Sequence, residues 1–230
     1  METDKPKPED PMLVSYRTLR RAIGLIGIAL PIALVVAENL ICLITQDHLA
    51  KPLVLDSISS YYWSGPAHAI FIGSLCAIGV FLWSYCGNGK WDPLAGNLAC
   101  VAAVCVAVFP NSSVTSTVHY TSAAILFLLL AYFCLYSFPG QDPKTTPTPK
   151  KPLRNKIYIT CGVLILVSIV SAAVLQLIYR PDSPPWSLVF LFESLAIWAF
   201  GWSWYIKGQG LGVVQDDISR AKPKPRMQNL

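Results

Sequence analysis

Two glutamates lie inside long apolar segments of this chain. Glu38 directly follows "LIGIALPIALVVA", and Glu193 stands within "VFLFESLAIWAFGWSWYIKG". An acid at the centre of a membrane-spanning helix costs roughly 2.5–3.5 kcal/mol on insertion scales, so such acids usually face protein or water and often mark function. Both glutamates are therefore candidate site residues, provided that the segments around them cross a membrane.

The composition indicates that these segments do cross a membrane. The chain is 53% hydrophobic and only 13% charged, with a mean hydropathy of +0.48, whereas soluble domains have about 25% charged residues. A membrane span needs roughly 20 predominantly apolar residues. Six segments meet this requirement, at about 21–43, 66–86, 93–110, 118–138, 157–178 and 187–206. We therefore predict an all-α bundle of six transmembrane helices within residues 19–208.

The two ends of the chain have a different composition. Residues 1–18 and 209–230 are rich in Lys and Pro and contain few apolar residues. Segments of this kind cannot bury enough apolar surface to fold alone. We predict that both are disordered tails.

The distribution of Lys and Arg predicts the orientation. If the N-terminus is cytoplasmic, 16 of the 18 basic residues lie in cytoplasmic segments, and only Lys51 and Arg180 lie outside. Cytoplasmic segments of membrane proteins carry this excess. Both termini are therefore predicted to be cytoplasmic, as in a multi-pass protein of the bacterial inner membrane. The formal charge of +5 can then meet anionic lipid headgroups, and it is no evidence for nucleic-acid binding.

The depths of the polar residues predict a site near the outer surface. At the helical rise of 1.5 Å per residue, Glu193 lies about 9 Å and Glu38 about 8 Å below the same outer boundary. Two histidines fall within about one turn of that surface, and the connector "DSISSYYWSGP" lies beside it. The predicted pocket has residues 56–62 as its lid. Its candidate ligand-binding residues are Glu38, Asp56, Ser59, Tyr61, His68, His119, Tyr120 and Glu193.

The inner half of the bundle is predicted to be nearly without polar groups. Apart from basic anchors, every ionisable group within the spans belongs to the outer half, and the inner half offers only Asn97. Along the second and third helices, small residues recur at helix-contact spacing, which allows close approach of neighbouring helices. These residues are Gly73 and Ala77 in the second helix and Gly96, Cys100, Ala103 and Ala107 in the third. Gly24, Gly27 and Pro31 are expected to thin and kink the first helix.

Four functions are compatible with these residues. The first, which we favour, is the binding of a membrane lipid or a small ligand, including a cation, without cofactor or catalysis. The second is a metal-dependent hydrolase of lipid amides or esters, in which His68, His119 and Glu193 hold a zinc ion that activates water. The third is a proton-coupled carrier with the acids as relays. The fourth is a structural protein whose acids hydrogen-bond neighbouring helices. No catalytic residue is identified.

Several stretches carry a resemblance to known families. "LRRAIGLIGIALP", "SISSYYWSGPAHAIFIGSLCAIGVFLWSY", "AVFPNSSVTSTVHYTSAAILFL" and "FESLAIWAFGWSWYIKG" resemble segments of a family of bacterial six-helix integral membrane proteins with a domain of unknown function. The resemblance covers most of residues 19–208 and implies the fold but no chemistry. Its pattern maps onto Ile58, Ser59, Tyr61, Tyr62, Phe109, Pro110, His119, Tyr120 and Glu193.

Two further resemblances concern function. The chain is distantly similar to DRAM/Sfk-like membrane proteins, which implies a link to lipid organisation. "SGPAH", with Ser64 and His68 four apart, resembles the alkaline-ceramidase group of membrane hydrolases, which implies the zinc alternative. In this chain, however, the following stretch "IFIGSLCAIGV" has no acid and the last helix has no histidine.

Overall fold

The computed structural model describes residues 11–45, 54–85, 87, 89–139, 150–179 and 187–208, which contain helices and no strand. The prediction of an all-α fold is confirmed for these residues. A 3₁₀ helix, Ile58–Trp63, precedes the second α-helix, and a π-helix, Phe133–Ser137, continues the fourth. The α-helices are α1 (Pro11–Thr45), α2 (Gly65–Trp83), α3 (Asp92–Val108), α4 (Ser116–Tyr132), α5 (Lys151–Ile178) and α6 (Leu188–Lys207).

The helices have the length and surface of membrane helices. Four are long and apolar enough to cross a membrane, namely α1, α4 with its π-helix, α5 and α6, while α2 and α3 are shorter apolar helices. Large apolar side chains are exposed along the outside of the bundle, for example Val36, Val101 and Val170. Extended apolar surface of this kind is unusual on soluble proteins. The chain is therefore a helical membrane protein.

The six α-helices form a closed ring. Each helix packs against the next in the sequence, and α6 returns to pack against α1. Across the ring, α4 and α6 touch only slightly. This arrangement leaves a space at the centre of the bundle, enclosed by the inward faces of the helices.

The two ends of the ring differ in charge. At one end, here called the 3₁₀ end, α1, α3 and α5 finish and α2, α4 and α6 begin; the opposite end is called the basic end. Arg21, early in α1, donates a hydrogen bond of 2.8 Å to the carbonyl oxygen of Gly208, which follows α6. No described residue of the 3₁₀ end is a Lys or an Arg. The described basic residues are Arg17, Arg20, Arg21, Lys90, Lys150, Lys151, Arg154, Lys156 and Lys207.

Two helices begin earlier than hydropathy predicts. The first starts at Pro11 instead of about residue 21, and α5 starts at Lys151 instead of 157. Residues 11–18 are thus helical and do not belong to a disordered tail; the other predicted tail residues lie outside the described ranges. Hydropathy locates only the apolar part of a helix. The additional turns of α1 pack through Tyr16, whose ring stacks on that of Tyr85 at a centroid distance of 6.3 Å.

Glycines bring α1 and α6 into backbone contact. A Cβ atom on Gly24 would lie 2.7 Å from the carbonyl oxygen of Gly201, and one on Gly201 would lie 2.8 Å from that of Gly24. The indole Nε1 of Trp198 also donates to the carbonyl oxygen of Ile28 at 3.0 Å. The predicted close contact at Gly73 is wrong, because a Cβ there would have nothing within 4 Å.

Candidate functional site

A cavity of about 60 Å³ lies inside the ring. Its wall is formed mainly by apolar side chains of five helices, among them Leu30 of α1, Phe71 of α2 and Phe200 of α6. Its polar lining residues are Ser59, His119 and Glu193. All three belong to the 3₁₀ end, so the cavity is apolar along most of its length and polar at one end.

Glu193 lines the cavity and is also bonded to the 3₁₀ helix. Its side chain extends from the second turn of α6, and its Oε2 atom accepts a hydrogen bond of 2.6 Å from the backbone N–H of Ile58. Nearby, the backbone N–H of Phe190 donates to the carbonyl oxygen of Asp56 at 2.9 Å. These bonds fix the 3₁₀ helix over the polar end of the cavity.

The 3₁₀ helix has its own local network. The Ser57 hydroxyl accepts a hydrogen bond from the Ser60 N–H at 3.2 Å, which caps the helix, and it lies 2.9 Å from the Ser59 hydroxyl. Tyr61 is completely buried, and its hydroxyl accepts from the Leu55 N–H at 3.3 Å. Burial raises the pKa of Tyr61, so its phenol is neutral at physiological pH. The segment is therefore a fixed plug with Ser59 on its cavity side.

His119 joins the start of α4 to the end of α3. It is 3% exposed, and its Nδ1 atom lies 2.8 Å from the carbonyl oxygen of Phe109. Because a carbonyl oxygen can only accept, this nitrogen must carry a proton and donate. The bond holds the imidazole ring at the cavity wall beside the plug.

Glu38 and His68 lie outside the cavity lining. Glu38 is 4% exposed and accepts a hydrogen bond from the hydroxyl of Ser64, the residue before α2. The His68 Nδ1 atom bonds to the Tyr62 carbonyl oxygen, and its ring packs edge-on against the Tyr62 ring at 4.6 Å. Both side chains fasten the 3₁₀ helix to its neighbours. Glu38 and Glu193 thus hold opposite ends of the same segment.

The structure brings three of the eight predicted site residues onto the cavity wall, namely Ser59, His119 and Glu193. Tyr120 instead points to the outside of the bundle, where its hydroxyl accepts from Asn111 at 2.7 Å and from Gln176 at 3.1 Å. The predicted residues that do not line the cavity are Glu38, Asp56, Tyr61, His68 and Tyr120.

The residues of the zinc alternative are not assembled. Within the described ranges, no group of three or more His, Cys, Asp or Glu side chains is placed to hold a metal ion. His68, His119 and Glu193 are all described, and each is hydrogen-bonded to a different backbone group of the bundle. The geometry therefore gives no support to a zinc-activated water at these residues.

Comparison with known proteins gives no functional assignment, so function must be inferred from the site. No family model, curated protein or solved structure matches the chain. Function depends on the chemistry and shape of a site more than on the fold that carries it. For this chain, the relevant features are the apolar wall of the cavity and the position of its three polar groups.

Asp92 is a buried acid that sequence reasoning missed. It is fully buried at the basic end, and it accepts hydrogen bonds from the Tyr132 hydroxyl at 3.0 Å, the Ser137 hydroxyl at 2.8 Å and the Gly89 N–H at 2.9 Å. The third predicted segment, 93–110, begins one residue after Asp92, so the prediction of an inner half that offers only Asn97 did not include this acid. The sequence "DP" was the available signal, because an acid followed by Pro is favoured in the first turn of a helix.

Proposed function

We propose that this protein binds an amphiphile, a membrane lipid or a small molecule with an apolar chain, in the cavity of the ring. The observation that carries this proposal is the one-sided polarity of the cavity. Ligand sites are typically lined by apolar side chains with a few placed polar groups. Because the cavity is only about 60 Å³, the first carbons of the apolar chain would lie among residues such as Leu30, Phe71 and Phe200, and a longer chain would require the helices to move apart. The polar group would lie against Glu193 and His119.

The hydrogen-bonding capacity of Glu193 favours a ligand that donates. One carboxylate oxygen accepts from the Ile58 N–H, and the other has no hydrogen-bond partner among the described residues. A ligand hydroxyl or amine would satisfy it. Lipid binding agrees with the proposed distant relationship to DRAM/Sfk-like proteins, because that relationship implies a link to lipid organisation and not to catalysis.

All six helices are proposed to cross the membrane. In the ring, α2 and α3 lie between α1 and α4, both of which are long enough to span. The 17 residues of α3 extend over about 26 Å at 1.5 Å per residue, close to the 30 Å of the hydrocarbon core. Neighbouring helices of one ring lie at the same level of the membrane. We therefore place the two shorter helices across the hydrocarbon core as well.

The proposed location is the bacterial inner membrane, with both termini in the cytoplasm. The support is the concentration of Lys and Arg at the basic end and the positive-inside rule. In this orientation the polar end of the cavity and the 3₁₀ plug lie toward the periplasmic side. An amphiphile from the outer leaflet would then have its headgroup near Glu193.

A matched pair of substitutions on α4 tests the binding proposal. Ala123 lines the cavity, whereas Ala124 is exposed on the outside of the bundle. Ala123→Leu fills part of the cavity, and Ala124→Leu adds the same atoms outside it. Native mass spectrometry of the detergent-purified protein should show bound lipid in the wild type and in Ala124→Leu, and much less in Ala123→Leu. Equal occupancy in all three proteins, or none in the wild type, would contradict the proposal.

A further inference from the structure

Two cations flank an aromatic cluster at the basic end. The Arg20 guanidinium carbon lies 4.1 Å from the ring centroid of Tyr16 and 5.5 Å from that of Tyr85. The Lys207 ammonium lies 5.2 Å from the ring of Phe138 and donates to the carbonyl oxygen of the same residue at 3.1 Å. The Tyr85 and Phe138 rings are 6.3 Å apart. Arg20 of α1 and Lys207 of α6 therefore belong to one local site.

Positive charge is in excess around this site. Within the described ranges, the cations whose charges act on Lys207 are Arg20, Arg154 and Lys151, and the acid that does so is Asp92. Both carboxylate oxygens of Asp92 already accept hydrogen bonds from other groups. Among the described groups that act on Lys207, cations therefore outnumber acids. Like charges held together in this way attract an anion.

Hydrogen-bond donors are in excess as well. Within the described part of the chain, the Arg20 Nε atom is buried and has no acceptor, and the same is true of the Trp204 Nε1 atom. The Trp204 ring belongs to the same aromatic cluster, with its centroid 4.9 Å from that of Tyr85. Guanidinium, ammonium and indole nitrogens only donate, and buried donors without acceptors are unfavourable. An anionic group with several acceptor oxygens would satisfy these donors.

We propose that Arg20 and Lys207 bind a phosphate group at the basic end of the bundle. Phosphate offers negative charge and several acceptor oxygens, and the planar fork of an arginine matches its geometry. Aromatic residues at helix ends mark the membrane interface, which is the level of lipid phosphates. The phosphate belongs either to an anionic phospholipid or to a soluble compound. This site lies at the opposite end from the plug and does not depend on ligand binding in the cavity.

The test uses two probes and a matched lysine control. Calorimetric titration of the detergent-purified full chain would measure the Kd for short-chain phosphatidylglycerol and for inorganic phosphate. Lys207→Met and Arg20→Gln should each raise the Kd about tenfold or more, because each removes a charge-assisted contact. Lys90→Met should leave it unchanged, since Lys90 is an exposed lysine of the same end that lies over the Trp91 ring.

The relative affinities identify the source of the phosphate. Tighter binding of phosphatidylglycerol indicates a lipid headgroup, and equal binding of inorganic phosphate indicates a soluble phosphate compound; either result supports the site. Arg20→Lys keeps the charge but lacks the fork, so it should bind more weakly than the wild type and more tightly than Arg20→Gln. The proposal is overturned if the wild type binds neither probe, or if Lys90→Met weakens binding as much as Lys207→Met.

Discussion

At the residue scale, Glu38 and Glu193 differ in what their carboxylates face. Glu38 is closed off beside the Ser64 hydroxyl, whereas Glu193 combines a bond to the Ile58 N–H with a place on the cavity wall. A role in fastening the 3₁₀ plug accounts for the bond between Glu38 and the Ser64 hydroxyl. It accounts for only one of the two oxygens of Glu193, and the other oxygen is the reason to assign Glu193 to a ligand site.

Two substitutions separate the fastening role of Glu193 from its ligand role. In Glu193→Gln, the amide oxygen can still accept from Ile58, so the thermal unfolding temperature should stay close to that of the wild type. The second oxygen becomes an NH₂ donor, so lipid occupancy should fall. In Glu193→Leu, the Ile58 N–H loses its acceptor, which should lower the free energy of unfolding by about 1–3 kcal/mol. Equal loss of stability in both variants would indicate a structural role alone.

The sequence predicted which polar residues lie near one end of the bundle. It did not predict which groups these residues contact. Depth along a helix follows from the rise per residue, so Glu38 and Glu193 could be placed at one end of the bundle. Which way a side chain faces around the helix axis depends on tertiary packing. His68 and His119 therefore received the same prediction, although only His119 lines the cavity. Asp92 was missed because it lies one residue before the apolar segment of α3.

At the element scale, the contact between α1 and α6 closes the ring. Gly24 and Gly201 allow their backbones to touch, and both helices contribute to the cavity wall, for example through Leu30 and Phe200. Hydropathy located all six α-helices, since long apolar segments are a strong signal. It could not show the polar turns that extend α1 and α5, nor the 3₁₀ helix, whose start depends on capping by Ser57.

A glycine pair tests the importance of this contact. Gly201→Ala places a methyl group 2.8 Å from the carbonyl oxygen of Gly24, so α1 and α6 must separate. Overpacking of this kind costs about 1–3 kcal/mol, and the unfolding temperature in detergent should fall. Gly73→Ala is the control, because its Cβ would meet nothing within 4 Å. A similar loss of stability in both variants would argue against a special contact between α1 and α6.

At the scale of the whole molecule, the ring has two chemically distinct ends. The 3₁₀ end holds the plug and the polar groups of the cavity, and the basic end holds the buried Asp92 network and the Arg20–Lys207 site. The sequence predicted this charge asymmetry, because it depends only on where basic residues occur. It could not predict the closed ring or its cavity, which depend on which helix faces pack together.

Reporter fusions test the orientation of these ends. Alkaline phosphatase is active only in the periplasm, so a fusion at the C-terminus should be inactive and one within residues 46–53 should be active. The reason is the positive-inside rule applied to the basic end. Green fluorescent protein fused to the C-terminus should be fluorescent. The opposite pattern of activities would indicate the opposite orientation, with the plug on the cytoplasmic side.

Binding of an amphiphile requires that an apolar chain enters the ring. The most direct measurement is photo-crosslinking of the delipidated protein with an equimolar phospholipid that carries a diazirine in its acyl chain, followed by mass spectrometry of the labelled peptides. Leu75 and Leu126 line the cavity and are 7% and 4% exposed, whereas Val101 and Val170 face outward. We predict labelling at Leu75 and Leu126 that is lost in Ala123→Leu. Labelling confined to outward residues such as Val101 and Val170 would contradict the account.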